Sequence, residues 1–191
     1  MDFGKIKIVT GATAEPVTLE ETKNHLNTTH NEDDSEIRRL IRSARRWGER
    51  FQGRQYCSVT YDQWHNDFPG GRCIELQRAP LQSITSIKYQ DTDDAEQTFS
   101  SGDYQFLTYD DAPGTIELDW DASWPTVYDK ADAVVIRFVA GYGDETAVPD
   151  TIKGAILLHV QAHYDRPDPQ RMGSLMNAAQ DLLWQDKVEV V

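Results

Sequence analysis

The hydrophobic period of this chain changes twice along its length, and that change constrains the fold more than any single motif. Between Asn31 and Gly53, the apolar residues Ile37, Leu40, Ile41, Ala44, Trp47 and Phe51 recur mostly at spacings of three and four. At about 100° per residue they line one face of a helix. From Ser58 to about Ala140 the pattern becomes alternation broken by turns. It returns to helical spacing at Ile152, Ala155, Ile156, Leu157, Leu158, Val160 and Ala162, and again at Leu175, Ala178, Ala179, Leu182 and Leu183. Helices from either end alone are too few to bury their stripes. The fold class is therefore α+β: a helical domain of about four helices, residues 15–54 and 148–187, carrying an inserted antiparallel β-rich unit, 57–140. Residues 1–14 and 188–191 are read as extended or flexible ends.

Local signals set the boundaries. Thr18-Leu19-Glu20-Glu21 has the spacing of a capping box, so a short helix runs to about Leu26. The stretch Asn31 to Glu36 concentrates acidic and capping side chains where a helix N-terminus favours them. Val148-Pro149-Asp150 opens the third helix, with proline where its missing N–H is harmless. Arg166-Pro167-Asp168-Pro169 reads as a breaker, followed by a last helix from about Ser174 to Lys187. In the β segment, Val59 to Trp64 and Cys73 to Leu76 read as two strands around the turn Pro69-Gly70-Gly71. Further strands are expected through Ile84, Ile87 and Tyr89, at Gln97–Phe99, Tyr104–Leu107 and Thr115–Leu118, and at Ala133–Val139. Short, turn-separated strands of this kind suggest a small sheet or barrel.

At 191 residues the chain is long enough for one domain with an insertion. Five Trp and eight Tyr argue against disorder. A formal net charge of −13 argues against nonspecific grip on a nucleic-acid backbone, which depends on cationic contacts. No apolar run reaches the ~18 residues of a membrane span, and no apolar core of a signal peptide follows Lys5 and Lys7. The expected site of synthesis is a cytoplasm. Cys57 and Cys73 flank the first two strands and could meet across them; reduced thiols are the ordinary expectation in that compartment.

Candidate chemistry is sparse. His159 and His163 stand four apart on one helix, the spacing of a shared metal, but neither a general-base Glu between them nor a third ligand accompanies them. Asp91-Thr92-Asp93 and Asp119-Trp120-Asp121 begin like calcium loops without the glycine and glutamate that complete one. No phosphate loop, dinucleotide fingerprint, nucleophile elbow or Cys-x-x-Cys is present. Catalytic, cofactor-binding and metal residues are accordingly expected to be none. The long helix instead carries Arg38, Arg39, Arg42, Arg45, Arg46 and Arg50, with Arg54 just beyond, read as a basic ridge opposite the apolar stripe. Its arginines either pair locally, with Glu36 and Glu49 as candidates, or dock on an acidic surface or on phosphate. Trp120 and Trp124 near a turn are either core or anchors for a ligand.

Taken in order, several segments resemble one family. They are Glu15-Pro16-Val17-Thr18-Leu19-Glu20-Glu21-Thr22-Lys23-Asn24-His25-Leu26, then Ile37 to Arg45, then Leu76-Gln77-Arg78-Ala79-Pro80-Leu81-Gln82-Ser83-Ile84. Val135 to Gly143, Val148-Pro149 and Ile152 to Leu158 complete the series. Together they resemble the head-to-tail connector, or adaptor, subunits of tailed bacteriophages and gene-transfer particles. The resemblance implies a structural virion subunit without enzymatic activity or cofactor, made in the host cytoplasm. It further implies a homo-oligomeric ring of about a dozen copies beneath the portal protein, a channel through which DNA passes without sequence-specific binding, and a docking surface for a neck, stopper or tail component. No membrane partner is implied. The C-terminal segment, Leu182 to Val191 with Leu182, Leu183 and Trp184 leading it, would dock on the portal, although its ending Lys187-Val188-Glu189-Val190-Val191 lacks a basic aromatic terminus. The competing reading is a ligand-binding module in which Trp120 and Trp124 hold a glycan or peptide. An enzyme would require His159, His163 and carboxylates to converge in one pocket.

Overall fold

A computed structural model describes residues 4–109, 112–164 and 168–184. It divides into two compact units, one built from Met1–Gly11 and Ser58–Gly141, the other from Ala12–Cys57 and Tyr142–Val191. The chain is α+β, with four helices and eight strands among the described residues.

In the helical unit, α1 (Leu19–Leu26) starts on the expected capping box. The Glu21 N–H donates to Thr18 Oγ1 at 3.1 Å and the Thr18 N–H donates to Glu21 Oε2 at 2.7 Å. Helix α2 (Asp34–Gln52) ends at Gly53 in the left-handed region, φ 71°, a conformation that favours glycine. Its N-cap Asp33 makes no side-chain cap; that carboxylate instead accepts from the Tyr164 hydroxyl at 2.8 Å. Helix α3 (Asp150–Tyr164) packs against α1, α2 and α4 (Pro169–Trp184), which explains apolar residues around most of its circumference. Helix α4 begins five residues before the expected Ser174, because Asp168 is a cap and Pro169 a first-turn residue: the N–H groups of Gln170 and Arg171 donate to Asp168 Oδ1 at 3.0 and 3.1 Å. Residues 185–187 of the expected helix, residues 188–191 of the expected end, and Arg166-Pro167 of the expected breaker lie outside the described residues.

The core of this unit combines Ile37, Leu40, Ile41 and Ala44 of α2 with Ile152, Ala155, Ile156 and Val160 of α3 and Ala179 and Leu183 of α4. Each buried Leu or Ile contributes roughly 1.5–3 kcal/mol. One polar group is enclosed and satisfied: Gln52 donates to the Leu183 carbonyl at 2.8 Å and accepts from the Tyr56 hydroxyl at 2.7 Å.

In the other unit, β1 (Lys5–Thr10), β2 (Val59–His65), β8 (Val134–Ala140), β4 (Leu81–Gln90) and β5 (Glu96–Thr98) form an antiparallel sheet in the order β1-β2-β8-β4-β5. A second sheet has the order β3-β7-β6, from β3 (Cys73–Glu75), β7 (Ala112–Leu118) and β6 (Tyr104–Tyr109). The opening residues, placed by sequence in an extended or flexible end, thus supply an edge strand, Ile8 lying opposite Tyr61. The expected β2–β3 hairpin does not form. Strand β2 lies between β1 and β8, whereas β3 pairs with β7, Ile74 opposite Ile116, so the Pro69-Gly70-Gly71 turn leads from one sheet to the other. Central strands β2 and β8 match Tyr61 with Phe138, rings stacked at 5.6 Å, and Asp62 with Arg137, two hydrogen bonds of 2.7 Å. At Gly114 a Cβ would overlap the Leu81 side chain, so the backbone of β7 approaches β4 as only glycine permits.

Candidate functional site

The arginines of α2 divide into two groups that their spacing alone does not separate. Arg39 is exposed and grips Glu36 three residues earlier, at 2.8 and 2.6 Å. Arg45 does not belong to the ridge: it is buried, donating to Glu15 at 2.7 Å and to Glu49 at 3.1 Å. On the helical wheel it borders Ile41 and Gly48 at the flank of the apolar stripe, and Glu15, thirty residues upstream, closes over it. Burial alone would lower the Arg45 pKa; the hydrogen bonds and charges of Glu15 and Glu49 reverse that and raise it. Burial raises the Glu49 pKa, against the opposing pull of Arg45 and the Tyr56 N–H. Arg54 is buried too, donating to the Tyr142 hydroxyl at 2.8 Å.

Arg38, Arg42, Arg46 and Arg50 remain exposed. Among the described residues none of the four makes an ion pair. The carboxylates of α2 are engaged elsewhere: Asp34 with Lys23 at 2.9 Å, Glu36 with Arg39 and Glu49 with Arg45. At four-residue spacing the four guanidiniums rise by ~6 Å per step along the helix, each turned ~40° from the last. Arg42, Arg46 and Arg50, with Arg39, Ser43 and Trp47, line a groove of about 510 Å³. Arg38 and Arg42 also face a cleft of about 340 Å³ that includes Glu15 and Glu145. The indole of Trp47 continues into an aromatic series, 6.0 Å from Phe51, which is met edge-on by Trp184 at 5.6 Å.

The three C-terminal candidates fare differently. Leu183 is fully buried in the helical core, Leu182 is half-buried against it, and Trp184 is 56% exposed. The remainder of the expected docking segment, 185–191, is outside the described residues.

The other candidates separate as well. Trp124 stacks on Phe68 at 4.7 Å and donates to the Gly71 carbonyl at 3.0 Å, whereas Trp120 is 88% exposed. The two indoles therefore do not form a shared ligand platform. His159 and His163 stack at 4.4 Å, and His159 lies 4.8 Å from the Trp47 ring. His159 Nδ1 is buried without a hydrogen-bond partner among the described residues, and burial, then His163, push its pKa down to about 4. Among the described residues no group of three or more His, Cys, Asp or Glu is arranged to hold a metal ion, and no helix is long and apolar enough to cross a membrane. The cysteines are both free, and they do not face each other across strands: Cys73 is exposed opposite Glu117, while Cys57 is buried and bridges to Gly143. Burial pushes the Cys57 thiol up to about 12.

Comparison with known proteins agrees with this architecture. The chain is similar in fold to a chain of the virion of a native gene transfer agent particle, with a TM-score of 0.76, 20% identity and coverage of 97% of this chain and 96% of that one. A chain from the neck of the empty particle, computed with sixfold cyclic symmetry, gives 0.74 at 20% identity, covering 98% and 97%. One from the neck of the native particle, computed with twelvefold symmetry, gives 0.70 at 21% identity over the same shares. No curated protein matches the chain. The head completion protein family matches residues 15–176, from ahead of α1 through the β segment and into α4. The chain thus belongs to the head completion protein family and is a structural protein of the bacteriophage head-tail connector.

Proposed function

We propose that copies of this chain form a ring beneath the portal protein at the head-tail junction of a virion, with a channel for DNA and a docking surface for the next neck, stopper or tail component. The observation that carries this reading is the family match over 15–176, joined to a fold that follows neck subunits of a gene transfer agent from end to end. The subunit acts by assembly and not by catalysis. Its surplus negative charge, −13, suits a channel through which a polyanion slides without being held. Its exposed arginines and Trp184 are proposed as partner-docking groups, with half-buried Leu182 and buried Leu183 anchoring α4.

The test is the mass of the full chain by light scattering, alone and mixed with the portal protein of the same particle. A closed multimer, or one that appears only on the portal, is the expected result. A monomer unaffected by the portal would overturn the reading.

A further inference from the structure

The most exposed large apolar side chain among the described residues and the cationic groove answer each other chemically, although they lie in different units. Trp120, 88% exposed, occupies the tip of a turn closed by the Ala122 N–H donating to the Asp119 carbonyl at 2.9 Å. The Asp119 N–H bonds the Asp103 carbonyl at 3.0 Å, and the Arg72 guanidinium holds the carbonyls of Leu118 and Asp119. The backbone under the indole is therefore fixed while the indole is bare. A rigid, solvated tryptophan loses little freedom on docking and ranks among the strongest interface anchors. Asp119 and Asp121 flank it, and among the described residues neither carboxylate has an ion-pair partner.

The groove of α2 offers the complement. Arg42, Arg46 and Arg50 repeat at i, i+4, i+8, a like-charge spacing that disfavours the isolated helix, and among the described residues none of the three is held in an ion pair. Guanidinium planes accept both partners the turn presents: carboxylates by paired hydrogen bonds and an indole face by cation–π contact. Trp47 in the groove wall adds an aromatic surface. DNA phosphate is the weaker match, because a duplex backbone presents anions but no aromatic face for the guanidinium planes and Trp47.

Building on the ring reading, we infer that the Asp119-Trp120-Asp121 turn of one copy seats in the Arg42/Arg46/Arg50 groove of a second copy of this chain. The contact joins two different patches, so it is heterologous and propagates from subunit to subunit until the ring closes.

Two full-length variants test it. R42E/R46E reverses the groove and leaves the turn; W120A/D121N removes the indole and a flanking charge from the turn and leaves the groove. All four positions are solvent-exposed, and circular dichroism melting curves that overlay the wild type establish that both variants fold. In sedimentation velocity, with and without the portal protein, each variant alone is expected to stay monomeric. An equimolar mixture is expected to double in mass to a 1:1 heterodimer that grows no further. The inference is overturned by a mixture that stays monomeric, by either variant assembling like the wild type, or by duplex DNA binding that R42E/R46E abolishes while no heterodimer forms. Wild-type rings on the portal beside a monomeric mixture would retain the adaptor reading and remove this contact. A heterodimer without portal-bound rings would do the reverse.

Discussion

At the scale of single residues, burial decides which charged and titratable groups hold the fold and which remain available. Arg45 and Arg46 are neighbours in sequence, yet one is enclosed between Glu15 and Glu49 and the other is exposed. A guanidinium taken out of water needs its desolvation offset, and for Arg45 two carboxylates do so. His159 is the opposite case, buried beside Trp47 and His163 with no anion among the described residues to favour its charge. Its folded pKa, about 4, lies below the ordinary 6.5, so the unfolded chain binds more protons between those values. The stability that neutral His159 provides is complete above pH 6.5 and is lost as pH falls toward 4, by on the order of 2–3 kcal/mol. Urea unfolding of wild type and His159→Phe across that window should give a steeper loss for the wild type, since phenylalanine keeps the aromatic contact and does not titrate. Parallel pH profiles would rule the histidine out as the cause.

At the scale of elements, α2 shows why a helix pattern is legible while its packing is not. The spacing of Ile37, Leu40, Ile41 and Ala44 predicts the buried face, and these residues are buried. The same pattern gives no reason for Gly48 in the helix interior, where glycine ordinarily costs about 1 kcal/mol against alanine. The structure supplies the reason: a Cβ at Gly48 would lie 2.6 Å from the Tyr56 hydroxyl, which is itself committed to Gln52. Gly48→Ala is therefore expected to destabilise by roughly 1–3 kcal/mol despite its better helix propensity, measured as a lowered urea midpoint. A midpoint at or above wild type would mean that the Tyr56 ring moves freely. The β2–β3 connection teaches a similar lesson. Alternation and a Pro-Gly-Gly turn are equally compatible with a hairpin and with a passage between sheets, and the choice rests on distant β7 and β8.

At the scale of the whole molecule, the excess of 32 acidic over 19 basic residues keeps copies apart unless opposite charges are brought face to face. Assembly held by exposed guanidiniums and carboxylates should weaken as salt shortens the screening length from ~8 Å at 0.15 M to ~3 Å at 1 M. Portal-bound mass measured across that range is expected to fall; mass that is unchanged at 1 M would assign the assembly to apolar burial instead.

The sequence by itself determined the α+β class, the order of the helices and the caps at Thr18 and Gly53, because hydrophobic period and capping chemistry are local and are written in neighbouring residues; the family is carried by the order of its segments, which the match over 15–176 shows. The order of the ridge arginines was legible for the same reason. Tertiary structure alone decided that Lys5–Thr10 completes a sheet, that β2 and β3 part company, that Arg45 leaves the ridge for Glu15, and that Trp124 stacks on Phe68 while Trp120 is bare. Each of those outcomes depends on which residues, tens of positions apart, share one desolvated space, and no local pattern encodes that distance.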